Sequence, residues 1–282
     1  MQQSGVMQKS ATTVFMLRQT LISSVLLTTI VLRAAEDYEP VSETVSFRGS
    51  FQYGAVEGYL QTPAGGEPGS SSSKRPTLKE LDIDNAGFYD VSALVHWRRL
   101  GFYAGYEGIG LDGDSVLNET LKSRGVTFPA GTSVHSKVDL NWLRAGAGYK
   151  FELANHRLEL FPKADVALLD FSYKLNGGGE AVDRSYSKGC FRIGMEGKYR
   201  CFGPVSLRLD AEASVPISNT PQIAVFTGDV EFDLLRRSKR FHPVVFVGGG
   251  WQRIEYEDNQ TLPNHIKADF GPFVTAGLGM SF

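Results

Sequence analysis

The chain has 282 residues, of which 42% are hydrophobic and 11% aromatic, and it contains 31 glycines. Joint enrichment in glycine and aromatic residues favours strands and turns, and no apolar run reaches the roughly 20 residues of a membrane-spanning helix. Lys and Arg number 29, and Asp and Glu number 31. The first 35 residues contain three basic residues and no acidic one, so the rest of the chain is weakly acidic. This composition excludes a helical membrane protein, and the acidic balance excludes nucleic acid as a partner.

The N-terminal segment has the three parts of a secretory signal peptide. Basic residues precede the apolar run 21–32, which small residues and then the acidic Glu36 follow. The run is too short to span a bilayer comfortably. The sequence therefore predicts a signal peptide over 1–35 and a mature domain over 36–282. The open alternatives are the start, at Met1 or Met16, and the cleavage site, after Ala34 or Ala35.

From Val45 onward, apolar and polar residues alternate with a period of two, as in strands with one wet face. Many of these segments exceed ten residues, which is long for a soluble sheet but suits a tilted strand that crosses a bilayer in about 9–11 residues. Cys190 and Cys201 fall near the ends of one segment, too far apart for a disulfide bond if that segment is a strand. The ten predicted strands are 43–60, 86–97, 100–111, 133–151, 157–173, 186–201, 205–216, 223–235, 244–256 and 266–282.

The connections between the first seven strands alternate in length. Long connections over 63–85, 112–132 and 174–185 alternate with the short ones at 98–99, 152–156 and 202–204. Long external loops and short periplasmic turns are typical of outer-membrane barrels. The sequence thus predicts an all-β, antiparallel up-and-down β-barrel of about ten strands, with eight as an alternative. Alternation alone leaves open a soluble barrel of opposite polarity, with the apolar face inside.

The C-terminal strand distinguishes between these two polarities. One face of this strand is apolar up to the last residue, and it consists of Val274, Ala276, Leu278, Met280 and Phe282. This pattern resembles the terminal strand of small bacterial outer-membrane β-barrel proteins, which commonly ends in Phe. The resemblance implies a transmembrane barrel in the outer membrane of a Gram-negative-type bacterium. It also implies that these residues are an assembly signal, with the barrel-assembly machinery and outer-membrane lipid as partners.

In a membrane barrel, the polar faces of the strands line the lumen. The charged side chains expected there are Arg192, Glu196, Lys198, Arg208, Asp210, Glu212, Asp229, Glu231 and Asp233. Their mixed signs on neighbouring strands predict ion pairs across the lumen. Because ten strands enclose only slightly more space than eight, this network favours a plugged interior. An open polar pore is the alternative.

No catalytic motif is present at a recognisable spacing. None of the five histidines lies two residues after an Asp, as in the omptin outer-membrane proteases, or two before a Ser, as in the outer-membrane lipid A deacylases. The pair Asp112 and Asp114 lacks the further ligands of an EF-hand, and Cys and His do not occur at zinc spacing.

The sequence therefore predicts a non-enzymatic protein without cofactor or metal. Its expected role is structural in the envelope, or interaction with an unknown surface or periplasmic partner. The alternatives are a narrow channel or uptake barrel for small or apolar solutes and, less favoured, a membrane-embedded hydrolase.

Overall fold

The computed structural model describes residues 44–61, 76–235, 241–258 and 265–282. The predicted signal peptide lies outside these ranges, and the described part of the chain contains no helix with the length and hydropathy of a membrane span. The strands are β1 (Thr44–Gln61), β2 (Asn85–Trp97), β3 (Leu100–Val116), β4 (Leu121–Ser123), β5 (Val126–Phe128), β6 (Ser133–Tyr149), β7 (Phe151–Leu153), β8 (Leu158–Gly177), β9 (Glu180–Phe202), β10 (Val205–Ser214), β11 (Gln222–Asp233), β12 (His242–Glu257) and β13 (His265–Ser281). One 3-10 helix spans Lys79–Leu81.

The ten long strands close into an antiparallel up-and-down barrel. Each pairs with the next long strand along the chain, β6 pairs directly with β8, and β13 pairs with β1. Short strand β7 extends the sheet beside β8, and β4 and β5 form a separate hairpin. Every predicted segment overlaps one long strand, so the predicted barrel of ten strands is confirmed and the eight-stranded alternative is wrong. Cys190 and Cys201 both lie on β9 as free thiols, as predicted.

The two ends of the barrel differ. The short-turn end carries the connections at 98–99 and 203–204, and here the backbone of Phe282 exchanges hydrogen bonds with that of Val45, at 2.9 and 3.3 Å. The opposite, long-loop end includes the connection from β3 to β6. One prediction at this end is wrong, because 174–185 is not a long loop. Strands β8 and β9 continue to a two-residue turn, in which Gly178 and Gly179 adopt φ values of 59° and 86° that suit glycine.

The outer surface next to the short-turn end is an apolar band about ten residues tall. On β1 and β2 the band covers the outward residues of 45–55 and 87–97. Side chains within it stay largely exposed, for example Leu209 at 56% and Leu278 at 67%. This height matches the 9–11 residues that a tilted strand needs to cross the hydrocarbon core. Exposed apolar area on this scale is stable only against lipid, so the barrel spans a membrane.

Beyond the apolar band, both faces of the barrel change polarity. The outward residues become polar, as at Glu57, Asp112 and Asp170, and the inward residues become apolar. The apolar core of this half includes twelve side chains that are each at most 3% exposed, namely Val56, Leu60, Ile109, Leu111, Val138, Leu140, Leu169, Phe171, Leu175, Ile223, Ile254 and Phe270. The same alternation therefore builds a membrane barrel at one end and a barrel of soluble type at the other.

Two segments cover the long-loop end. Segment 76–84 continues the wall beside β1, where Leu60 N–H donates to Pro76 O at 2.9 Å and Leu78 N–H donates to Gly58 O at 3.0 Å. The side chains of Leu78 and Leu81 are fully buried in the apolar core. The β4–β5 hairpin contributes Leu121 and Phe128 to the same core. Sequence patterns placed both segments in loops, but the structure uses them to fill the barrel mouth.

Candidate functional site: the sealed lumen

The charged residues predicted on β9, β10 and β11 lie on the inward faces of these strands, as period-two alternation requires. At the level nearest the short-turn end, the Arg48 guanidinium binds both Asp229 and Glu231, each at 2.5 Å. Lys198 contacts the second oxygen of Glu231 at 2.8 Å. Arg48 also lies over the ring of Phe246 at 3.4 Å. Four strands are thereby joined across the lumen.

A second group of ion pairs surrounds Arg192, whose side chain has no exposed surface. Arg192 donates two hydrogen bonds to Asp165, at 2.8 and 2.6 Å, and contacts Glu212 at 2.5 Å. Lys163 pairs with Glu212 and, at 2.8 Å, with Asp210. A bidentate guanidinium between two carboxylates offsets the cost of burying these charges.

Arg208 lies between the two groups, because the strand register places it opposite Asp229 on β11. Its guanidinium contacts Glu196 at 2.7 Å and lies 3.9 Å from Asp210. The remaining residue of the predicted set, Asp233, lies apart at the short-turn mouth and contacts His242 at 3.2 Å. Eight of the nine predicted residues thus share one layer of ion pairs, and Asp233 does not.

Sequence reasoning missed the charged partners on the other strands of the barrel, although the same alternation marks them as inward residues. The missed residues are Arg48, Asp90, Glu107, Arg144, Lys163 and Asp165. Arg144 contacts Asp90 at 2.6 Å. Glu107 accepts hydrogen bonds from Trp142 Nε1 at 2.8 Å and from Gln252 Nε2 at 2.6 Å, at the boundary with the apolar core.

A cavity of about 80 Å³ lies within the ion-pair layer and is lined by Glu107, Arg144, Asp210, Asp229 and Gln252, among others. Buried oxygen or nitrogen atoms of Arg144, Asp210 and Gln252 have no hydrogen-bond partner in the described chain. A polar cavity of this size holds a few water molecules that can satisfy such atoms. The cavity does not lead to a continuous path, because the apolar core fills the barrel between it and the long-loop end in the described residues.

Among the described residues, the short-turn end forms a vestibule of about 300 Å³, lined among others by Lys150, Glu159, Lys198 and Arg200. Its charges are paired: Lys150 contacts Glu159 at 3.3 Å, and Arg200 contacts the same carboxylate. The vestibule reaches the ion-pair layer, since Arg48 and Arg208 line both the vestibule and the central cavity.

One histidine–aspartate pair was not visible in the sequence. His135 Nδ1 lies 2.9 Å from Asp114 Oδ1, and His135 Nε2 lies 3.9 Å from Asp112, because β3 and β6 place residues 114 and 135 opposite each other. All three side chains are exposed on the outer face of the barrel beyond the apolar band, and no hydrogen bond joins His135 to a Ser, Thr or Cys within the described ranges. Ser136 points to the buried inner face, as adjacent strand residues must.

In the part of the chain that the structure describes, no group of three or more His, Cys, Asp or Glu side chains is arranged to hold a metal ion. The described part of the lumen therefore offers buried charge, a small polar cavity and apolar packing, with no continuous path through it.

Comparison with known proteins identifies solved structures only. No protein-family model matches the chain, and no curated protein matches it. The outer-membrane protease OmpT from Escherichia coli has a TM-score of 0.49 at 10% identity, covering 88% of this chain and 99% of OmpT. Ail of Yersinia pestis, in complex with a heparin analogue, has 0.39 at 8% identity, covering 86% and 100%. Neisserial surface protein A has 0.32 at 12% identity, covering 86% and 98%. Since these proteins differ in activity and are only distantly similar, the function must be argued from this chain itself.

Proposed function

We propose that this protein is a non-enzymatic, plugged barrel of the outer membrane, exported by its signal peptide, which anchors an interaction surface outside the cell. The observation that carries the proposal is the filling of the lumen. Six cationic side chains pair with seven carboxylates at the level of the membrane, and the apolar core lies above them. A channel needs a continuous polar path, which this packing does not provide. The extended barrel beyond the apolar band supplies the external surface.

Conductance in planar bilayers tests this proposal. We expect the refolded protein to insert without a stable ohmic conductance, while an open porin prepared in parallel shows that insertion occurs. A steady wild-type conductance whose cation selectivity falls in Glu107→Gln would instead establish a pore through the central cavity, and the narrow-channel alternative would replace our proposal.

We further propose that the C-terminal strand carries the assembly signal. Its apolar residues Val274, Ala276, Leu278, Met280 and Phe282 all face outward from β13 and are exposed. Phe282 also joins the closing seam with β1 through backbone hydrogen bonds. An exposed apolar strand face of this kind is available for recognition before the barrel closes.

Replacing Phe282 by Ser keeps the backbone hydrogen bonds of the seam but removes the aromatic ring. We expect export to continue and the yield of folded, heat-modifiable barrel in the membrane to fall severalfold. Phe202→Ser is the matched control, because Phe202 is an exposed aromatic residue in another strand at the same end of the barrel. Equal yields from the two variants would refute a special role for Phe282.

A further inference from the structure

Strand β9 has a free edge in the half of the barrel beyond the apolar band. On one side, β9 pairs with β8 from Glu180 onward. On the other side its partner β10 ends at Ser214, opposite Arg192, before the long-loop end is reached. Within the described chain, residues 180–190 therefore have a strand partner on one side only. A strand edge exposes a row of backbone donors and acceptors to any extended chain that approaches it.

Two hydrogen bonds show which residues face this edge. The carbonyl oxygen of Asp183 accepts from the Arg124 guanidinium at the tip of the β4–β5 hairpin, and the carbonyl oxygen of Phe191 accepts from Val215 N–H at 2.8 Å. In an antiparallel strand, alternate residues direct both backbone groups to the same side. Ser185, Ser187 and Gly189 must therefore point their N–H and C=O groups to the edge.

These three residues have no backbone partner on the edge side among the described residues. They are also exposed. The free segment is thus bounded by a capped carbonyl at each end and offers three donors and three acceptors between them. A partner strand of about five residues would cover it, at 3.3 Å per residue.

The side chains beside this segment give it a chemical character. Tyr186 packs its ring against Phe171 and Tyr256, with centroids 4.8 and 5.1 Å apart. Lys188 lies 5.9 Å from the Tyr256 ring centroid, and neither Lys188 nor Arg184 has a carboxylate within ion-pair distance in the described ranges. The edge therefore carries a cation, an aromatic ring and a second cation at alternate positions.

We propose that the free edge of β9, residues 184–190, binds an extended acidic segment of another protein by antiparallel strand addition. This proposal rests on the proposed function, because it names the partner class for the external surface. Directly opposed residues in an antiparallel pair lie within contact distance. The segment that fits therefore has an acidic residue opposite Arg184, an apolar residue opposite Tyr186 and an acidic residue opposite Lys188.

In the register centred on Tyr186, a second copy of this chain does not fit the same edge. An antiparallel pair of β9 edges centred on Tyr186 would place Arg184 of one copy opposite Lys188 of the other. Like charges directly opposite each other destabilise a strand pair. The charge pattern thus favours an acidic partner and disfavours a second copy in this register.

The test uses the whole protein in lipid nanodiscs and a seven-residue peptide in which threonines alternate with glutamate, valine and glutamate. We expect saturable binding, measured by fluorescence anisotropy, and slower amide hydrogen exchange at Ser185, Ser187 and Gly189 in the complex. A peptide with lysine in place of both glutamates should bind at least about tenfold more weakly, a difference of about 1.4 kcal/mol. A peptide with N-methyl groups on the amides facing β9 retains the charges, but its affinity should also fall at least about tenfold.

The double variant Arg184→Glu with Lys188→Glu should reverse the preference, so that it binds the lysine peptide and not the glutamate peptide. Lys137→Glu changes an exposed charge on β6 and is the matched control, with unchanged binding expected. The proposal is overturned if the glutamate peptide fails to bind, if the N-methylated peptide binds equally well, or if the amides of β9 are not protected. Conductance of the same preparation is measured separately. A barrel that neither conducts nor binds the peptide refutes only the proposed peptide binding at β9, whereas a conducting barrel refutes the proposed function.

Discussion

At the scale of single residues, the molecule depends on buried charges that are completed by residues from distant parts of the sequence. Arg192 is the clearest case, because it has no exposed surface and contacts both Asp165 and Glu212. Removing one partner of such a group leaves the others buried without compensation, which costs about 3–5 kcal/mol. We therefore expect Arg192→Leu to lower the free energy of unfolding by about that amount, measured by urea titration in lipid vesicles.

Arg200→Leu is the control for this prediction. Arg200 lies on the same strand and also contacts a carboxylate, Glu159, but its side chain is 56% exposed. Exposed ion pairs contribute about 0–1 kcal/mol, so this variant should unfold nearly as the wild type does. If both variants lost the same stability, the buried network would have no special part in holding the barrel together.

At the scale of elements, the mouth of the barrel is closed by segment 76–84, which fits closely against β3. A Cβ atom at Gly113 would overlap the carbonyl oxygen of Leu81, whereas a Cβ atom at Gly110 would meet Asp139 Oδ1 at 3.8 Å, an ordinary contact. Gly113→Ala should therefore displace the segment and speed amide exchange at Leu78 and Ile83, whose N–H groups donate to Gly58 and Leu78.

Hydrogen exchange followed by mass spectrometry measures this effect. Gly110→Ala adds the same methyl group to the same strand and should leave the exchange of segment 76–84 unchanged. If the amides of segment 76–84 exchanged as slowly in Gly113→Ala as in the wild type, β3 must move to accommodate the added methyl group. The prediction would then be wrong.

At the scale of the whole molecule, one barrel occupies two environments, and the boundary is set by the outward residues. Leu209 lies on the outer face of β10 within the apolar band, and Glu57 lies on the outer face of β1 just beyond it. An Arg near the middle of the bilayer costs about 2–4 kcal/mol and near the interface about 0–1 kcal/mol. Leu209→Arg should accordingly destabilise the protein in lipid far more than Glu57→Arg, as determined by urea titration.

Spin labels distinguish the lipid from any other apolar surrounding. With both native cysteines replaced by Ala, a label at position 209 should be relaxed by oxygen dissolved in lipid, and a label at 210 should be shielded from it. A label at 209 that neither oxygen nor a water-soluble relaxing agent reaches would mean that the apolar face is internal, contrary to the membrane assignment.

The strands and the exterior could be predicted because they depend on local patterns. Apolar and polar residues that alternate with a period of two lie on opposite faces of a strand. The ten segments, the inward charges of β9 to β11 and the outward C-terminal residues therefore follow from this alternation alone. The missed extension 174–185 shows the limit of this approach. Its outward residues are polar and it contains three glycines, so it reads as a loop once the strand has left the membrane.

The sequence by itself therefore determined the all-β class, the approximate strand boundaries and which residues share a face, since these are fixed within a few residues of chain. Only the tertiary structure decided that the barrel has ten strands and not eight, that Arg48 contacts Asp229, that His135 contacts Asp114, and that β9 keeps a free edge. Each of these depends on strand register and on where a neighbouring strand ends. Such contacts join residues far apart in the chain, and no local periodicity encodes them.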